Sequence, residues 1–262
     1  MKALTTSQIS AFTTSQAGSL TGEQIAAMST RQVSAIDSQD FAELSSEAIA
    51  ALSTAQVRAL TNSQIGAFTT DKVGQLSADG VGAFTSAQIV ALKTDALSVM
   101  GAEQIKAIKP TVMGAMSTTQ IAKLTTSQMA EVTVDQTKSL TQAQMRVLNS
   151  TQITQLGQQQ VAALSATQVS SIGATVIGKL APDQIASLSP SAITGLTTLQ
   201  IPKLTTDQVT SLTKDQVAKF STSQIVSFSS AQLKQFTQAQ VEAVTAPQKA
   251  ALTGAGKSLP VY

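Results

Sequence analysis

Histidine, cysteine and tryptophan are absent from the 262 residues, and the aromatics are seven phenylalanines and one tyrosine. Without cysteine there is no disulfide, no thiolate metal site and no thiol nucleophile. Without histidine the usual general base and the commonest metal ligand are missing. Serine and threonine are abundant, but no imidazole is present to activate them. Charge is sparse: 17 basic and 15 acidic side chains leave a net charge of +2, too little to attract a nucleic acid. No apolar run approaches the ~18 residues of a membrane span. Met1-Lys2-Ala3 leads into the body of the sequence with no cleavable signal peptide. These absences predict a non-enzymatic protein with no cofactor, no metal, no nucleic-acid partner and no membrane span.

What is present is a period of eight. From Leu4 to Leu259 the chain reads as 32 octads without an insertion or deletion. Position 1 is apolar in all 32, and position 6 is Ile, Val, Leu, Met or Phe in 28, with Ala17, Thr137, Lys249 and Lys257 as exceptions. Position 2 is Ser or Thr in 24 copies and position 5 is Gln in 23. Ser/Thr followed three residues later by Gln is the capping box that opens a helix. Apolar residues before the cap and at the fourth helical position form the accompanying hydrophobic staple. Each octad therefore carries a complete helix start.

Other residues agree. Pro110, Pro182 and Pro190 occupy position 3, the first helical residue, where proline is tolerated. Pro202, at position 7, is expected to distort its turn. Ten of the carboxylates sit at position 4, in the first turn, and nine of the basic residues at positions 7 or 8, in the last. That polarity complements a helix dipole. A continuous helix is excluded, because eight residues at ~100° each leave the apolar stripe ~80° out of phase per repeat. A β-solenoid would put positions 1 and 6 on opposite faces, with too few large side chains on either for a core.

The expected fold is all-α: a solenoid of short helices, one per octad, with no sheet. Residues 1–3 read as a leader, 4–259 as one octapeptide-repeat array in a single elongated body, and 260–262 as a tail. A helix of one or two turns does not persist alone, so coils of two to four octads must share a core. Candidate structural residues are the caps, represented by Thr5 and Gln8, Thr125 and Gln128, and Thr205 and Gln208. A lost cap is worth about 1–2 kcal/mol. The first octad is a near-consensus copy with no polar cap of its own, whereas the last octads degenerate at Lys249, Gly254, Gly256 and Lys257 and are expected either to fray or to form a distinct C-terminal cap. Leu4, Ile9 and Phe12 at one end and Val241, Val244 and Leu252 at the other are the candidate assembly ends. Residues 1–105 carry a net −4 and 106–262 a net +6, which favours head-to-tail encounter of copies. Asp37, Asp40, Glu43 and Glu47 are the densest acidic patch, with Asp37 itself placed to cap a helix.

The run Leu52-Ser53-Thr54-Ala55-Gln56-Val57-Arg58-Ala59-Leu60 resembles the octad arrays of large bacterial secreted and surface repeat proteins of the adhesin-like kind. Poverty in Cys, His and aromatics with abundant Thr, Ser, Ala and Gln is similar to flagellins and other exported fibre proteins. The resemblance implies an extracellular or cell-surface structural role. With the apolar ends and the opposite charges of the two halves, it leads to the expectation of self-association into a head-to-tail filament, with the cell surface or other matrix proteins as further partners. A monomeric scaffold or adhesin module that binds a protein or peptide is the alternative. The secretion or anchoring domain of a giant adhesin is missing from these residues. Leu180-Ala181-Pro182-Asp183-Gln184-Ile185 resembles the opening helix of TAL-effector DNA-binding repeats, through shared capping chemistry alone.

Overall fold

The computed structural model describes every residue, Met1–Tyr262, and contains helices and no strand. The helices start where the caps predict: Thr6–Ile9 after Thr5, Gly22–Ala26 after Thr21, Thr54–Ala59 after Ser53. Each is short because the next octad imposes an extended pair. Leu212 has φ −57° and ψ 132°, and Thr213 has φ −75° and ψ 155°. The Leu212 N–H closes the preceding helix on Val209 O at 3.3 Å. No corner needs a left-handed residue, and the only positive φ in the chain is that of Gly256.

Three octads depart from the standard turn. Ile193–Gly195 and Ile201–Lys203 are single 3-10 turns. The second contains Pro202, whose ring cannot sit inside a regular helix. The thirty-second octad does not start a helix of its own. It continues Ala246–Gly254, the longest helix at nine residues. Gly256 ends that helix at φ 67°, with Lys257 N–H on Leu252 O at 2.9 Å and Gly256 N–H on Thr253 O at 3.0 Å. These are the two bonds of a Schellman stop. One helix per octad therefore holds through the thirty-first.

The chain groups into two compact units, Met1–Val132 and Thr133–Tyr262, built in the same way. In the first, the helix Thr6–Ile9 packs on Thr30–Ser34, and that helix packs on Thr54–Ala59. In the second, Lys214–Lys219 packs on Gln238–Ala243, and Thr222–Ser227 on Ala246–Gly254. Every such pair is three octads apart. A coil therefore consists of three octads, a number that the uniform repeat left open. Each unit is an α-solenoid of such coils.

Positions 1 and 6 fill the core. Ile65, Ile105, Val209 and Ile225 are fully buried, and Leu52, Leu60, Leu204 and Leu212 nearly so. Phe41 meets Phe68 edge to face at 5.5 Å. Phe228 meets both Phe220 and Phe236 in the same way, at 5.3 and 5.4 Å. Two exceptions at position 6 are absorbed locally. Ala17 is buried, and the buried Thr137 donates its hydroxyl to Thr133 O at 2.9 Å. Coils approach closely at small residues. A Cβ on Gly195 would lie 2.0 Å from Ala166 O, and one on Gly178 2.5 Å from Lys203 O, so both positions exclude any side chain. Charges add little between coils. In the first unit Lys106 reaches Glu103 at 3.1 Å and Glu131, on the next coil, at 2.9 Å. Both bonds hold the ammonium above its usual pKa, but exposed pairs of this kind contribute little to stability.

Candidate functional site

The recurrent polar element is the position-5 glutamine. Gln216 is representative. Its own N–H donates to Thr213 Oγ1 at 3.2 Å, while its Oε1 accepts from Thr213 N–H at 2.8 Å. That is the capping box. The Nε2 end of the same amide donates to Leu188 O at 2.7 Å and Ile185 O at 2.9 Å, on the coil beneath. These two oxygens lie at a corner, at position 1 of the octad three back and position 6 of the one before it. A primary amide supplies an acceptor and two donors in one plane. All three serve backbone groups here, and the side chain is buried.

The same pattern repeats through both units. Gln64 donates to Ile36 O at 2.8 Å and Val33 O at 2.9 Å, and Gln240 to Leu212 O at 2.7 Å and Val209 O at 2.8 Å. Of the six cap residues singled out by sequence, Thr125, Gln128, Thr205 and Gln208 have both halves of the device. Gln128 Nε2 reaches Leu97 O at 2.9 Å and Met100 O at 3.0 Å, and Gln208 Nε2 reaches Leu180 O at 2.6 Å and Ile177 O at 3.1 Å. The cap cost of about 1–2 kcal/mol is then a lower bound for losing Gln128.

Thr5 and Gln8 form only the cap, with Thr5 N–H on Gln8 Oε1 at 2.9 Å. Gln8, Gln16 and Gln24 belong to the first coil and are exposed. No coil lies below them, and their Nε2 groups face solvent. The leader and the first octad each supply one acceptor of the next rung: Gln32 Nε2 donates to Met1 O at 3.1 Å and Leu4 O at 2.7 Å.

At the other end two side chains stand in for the amide. The fifth position of the last octad is Gly256, and the Lys257 ammonium takes over, donating to Phe228 O at 2.7 Å and Val226 O at 2.5 Å. The Tyr262 hydroxyl donates to Phe236 O, the corner oxygen of the following rung. Of the two expectations for the last octads, a frayed end or a distinct cap, Lys257 shows the cap, whereas Lys249 is exposed. Of the candidate assembly ends, Ile9, Val244 and Leu252 are buried inside the fold, and Leu4, Phe12 and Val241 are half-buried.

The acidic patch is dispersed by its individual roles. Asp37 accepts from Gln39 N–H at 2.8 Å as a cap. Asp40 occupies a glutamine position, is buried, and its carboxyl lies above the usual pKa, first through loss of hydration and then through Asp37. Glu43 faces Lys72, whose pKa is lowered by burial and partly restored by that carboxylate.

Three stretches, residues 1–30, 33–70 and 177–214, match a family profile described as the ALTTAQ repeat. The chain is thus a repeat protein in which that unit recurs. No curated protein matches it.

Two measurements follow from this geometry. Gln216→Glu retains an acceptor for the cap but points carboxylate oxygen at two carbonyls. It is expected to cost about 2–4 kcal/mol in urea unfolding, whereas Gln8→Glu, with no coil beneath it, should change stability by less than about 0.5 kcal/mol. Equal effects would contradict the assignment of Nε2. Asp40→Gln should stabilise by about 1 kcal/mol at neutral pH. Because the folded Asp40 pKa is raised above its unfolded value, its penalty is full above the folded pKa and disappears as pH falls through it. The gain from Asp40→Gln should therefore shrink on acidification. A gain that does not vary with pH would exclude a buried charge as its source.

Proposed function

We propose that this chain is a non-enzymatic structural protein whose copies add head to tail into a filament or matrix fibre outside a bacterial cell. The observation that supports the reading is the first coil. Gln8, Gln16 and Gln24 hold their amides exposed, although the same group is buried on corner carbonyls in the coils above. The complement of that face is a corner of this same repeat, so a second copy is its natural occupant. One end meeting a different end is a heterologous contact, which does not close and so propagates. The opposite net charges of residues 1–105 and 106–262 steer unlike ends together. Added salt should therefore slow elongation more than it dissolves finished fibres.

The alternative, a monomeric scaffold or adhesin module with a protein or peptide partner, draws support from Lys257 and Tyr262, which cover corners at the C-terminal end. Sedimentation velocity with negative-stain microscopy separates the two. Wild type should form a concentration-dependent series ending in fibres. The variant Gln8→Glu, Gln16→Glu, Gln24→Glu should keep its helical circular dichroism and sediment as a monomer. These positions are better probes than the buried Ile9, whose substitution would disturb the core. A wild type that stays monomeric at high concentration, in low salt and after long incubation leaves the scaffold reading in its place.

A further inference from the structure

We infer that the C-terminal residues Pro260–Tyr262 are an intramolecular competitor for the incoming copy, occupying the place where its first octad would dock; this rests on the head-to-tail reading above. The register of the rungs carries the argument. Gln240 takes Leu212 O and Gln248 takes Phe220 O, each 28 residues back, at 2.7 Å. The next rung falls at Gly256, and Lys257 fills it on Phe228 O. The rung after that has Phe236 O as its corner acceptor, and it would be served by the fifth residue of the octad beginning at Pro260. In a second copy continuing the repeat, that residue is Gln8. Gln16 would follow on Val244 O.

In the structure the Phe236 oxygen is held by the Tyr262 hydroxyl, and Leu252 O by the N–H groups of Ala255 and Lys257. The closure at Phe236 is a light one. Tyr262 is 68% exposed and Val261 98%, and Pro260 and Leu259 are half-buried. The ring therefore adds one hydrogen bond with little apolar burial. An incoming Gln8 brings two donors, with the half-buried Leu4 and Phe12 of the first coil beside it. The segment delays addition of a second copy and is displaced by it.

The test uses full-length chains in sedimentation velocity over a concentration series: wild type, Tyr262→Phe, Tyr262→Ala, and Tyr262→Ala combined with Gln8→Glu. Removing the hydroxyl should raise the end-to-end association constant about tenfold, as expected for about 1.4 kcal/mol of lost competition. Removing the ring should do at least as much, and adding Gln8→Glu should abolish the gain. Tyr262 is the only tyrosine and there is no tryptophan, so its emission reports its own displacement in unmodified protein. Released from the carbonyl that quenches it, the phenol should brighten in step with the sedimenting fraction. Equal association of wild type and both Tyr262 variants overturns the competitor while leaving assembly intact. So does unchanged emission on assembly, or association that survives Gln8→Glu. Failure of Tyr262→Ala to associate at any concentration overturns the head-to-tail reading itself.

Discussion

A buried primary amide that satisfies three backbone groups at once is the interaction on which this architecture rests. An octad leaves room for barely more than one helical turn, and such a helix has no stability of its own. Its first N–H groups and last carbonyls are unpaired by construction. Burying them without partners would cost about 1–3 kcal/mol apiece. The glutamine resolves both ends together. Its oxygen completes the cap of one helix, and its nitrogen completes the carbonyl corner of the coil below. Glutamate performs the first task and fails the second. That explains why position 5 holds Gln in 23 octads and Glu in none, although either residue closes a capping box.

This coupling makes each coil depend on its neighbour. The apolar residues at positions 1 and 6 provide the general driving force, but they do not fix which coil contacts which. The paired bonds 28 and 31 residues apart, as in Gln64 and Gln216, set that register. Stability in such an array is a sum of nearest-neighbour terms. Its ends are where the sum is incomplete. At the first coil the donors of Gln8, Gln16 and Gln24 are exposed. At the last coil a lysine and a tyrosine replace the missing amides.

Local features were legible in the sequence and non-local ones were not. The start of each helix is written into its own eight residues, so the caps at Thr5, Thr125 and Thr205 and the buried anchors could be placed directly. Three octads per coil could not be placed, because every corner uses the same residues and no longer period marks the coil. The second role of Gln128 or Gln208 leaves one trace, the preference for amide over carboxylate, which the capping box by itself does not require. Lys257, at a position that is normally apolar, marked the last octad as either frayed or a cap, but not which carbonyls it would reach. Its long stem lets the ammonium reach carbonyls that Gly256 cannot serve. The 3-10 turn at Pro202 follows from the ring. The one at Ile193–Gly195 has no comparable marker in the sequence beyond the small residue that the close approach to Ala166 demands.

Side-chain amide hydrogen exchange, resolved by NMR, tests the coupling most directly, because it watches Nε2 itself. The Nε2 protons of Gln208, Gln216 and Gln240 donate to buried carbonyls and should exchange at least about a hundredfold more slowly than those of Gln8, Gln16 and Gln24, opening only with local separation of the coils. Uniformly fast exchange along the chain, with backbone helices still protected, would show that the amides do not bind the coils together.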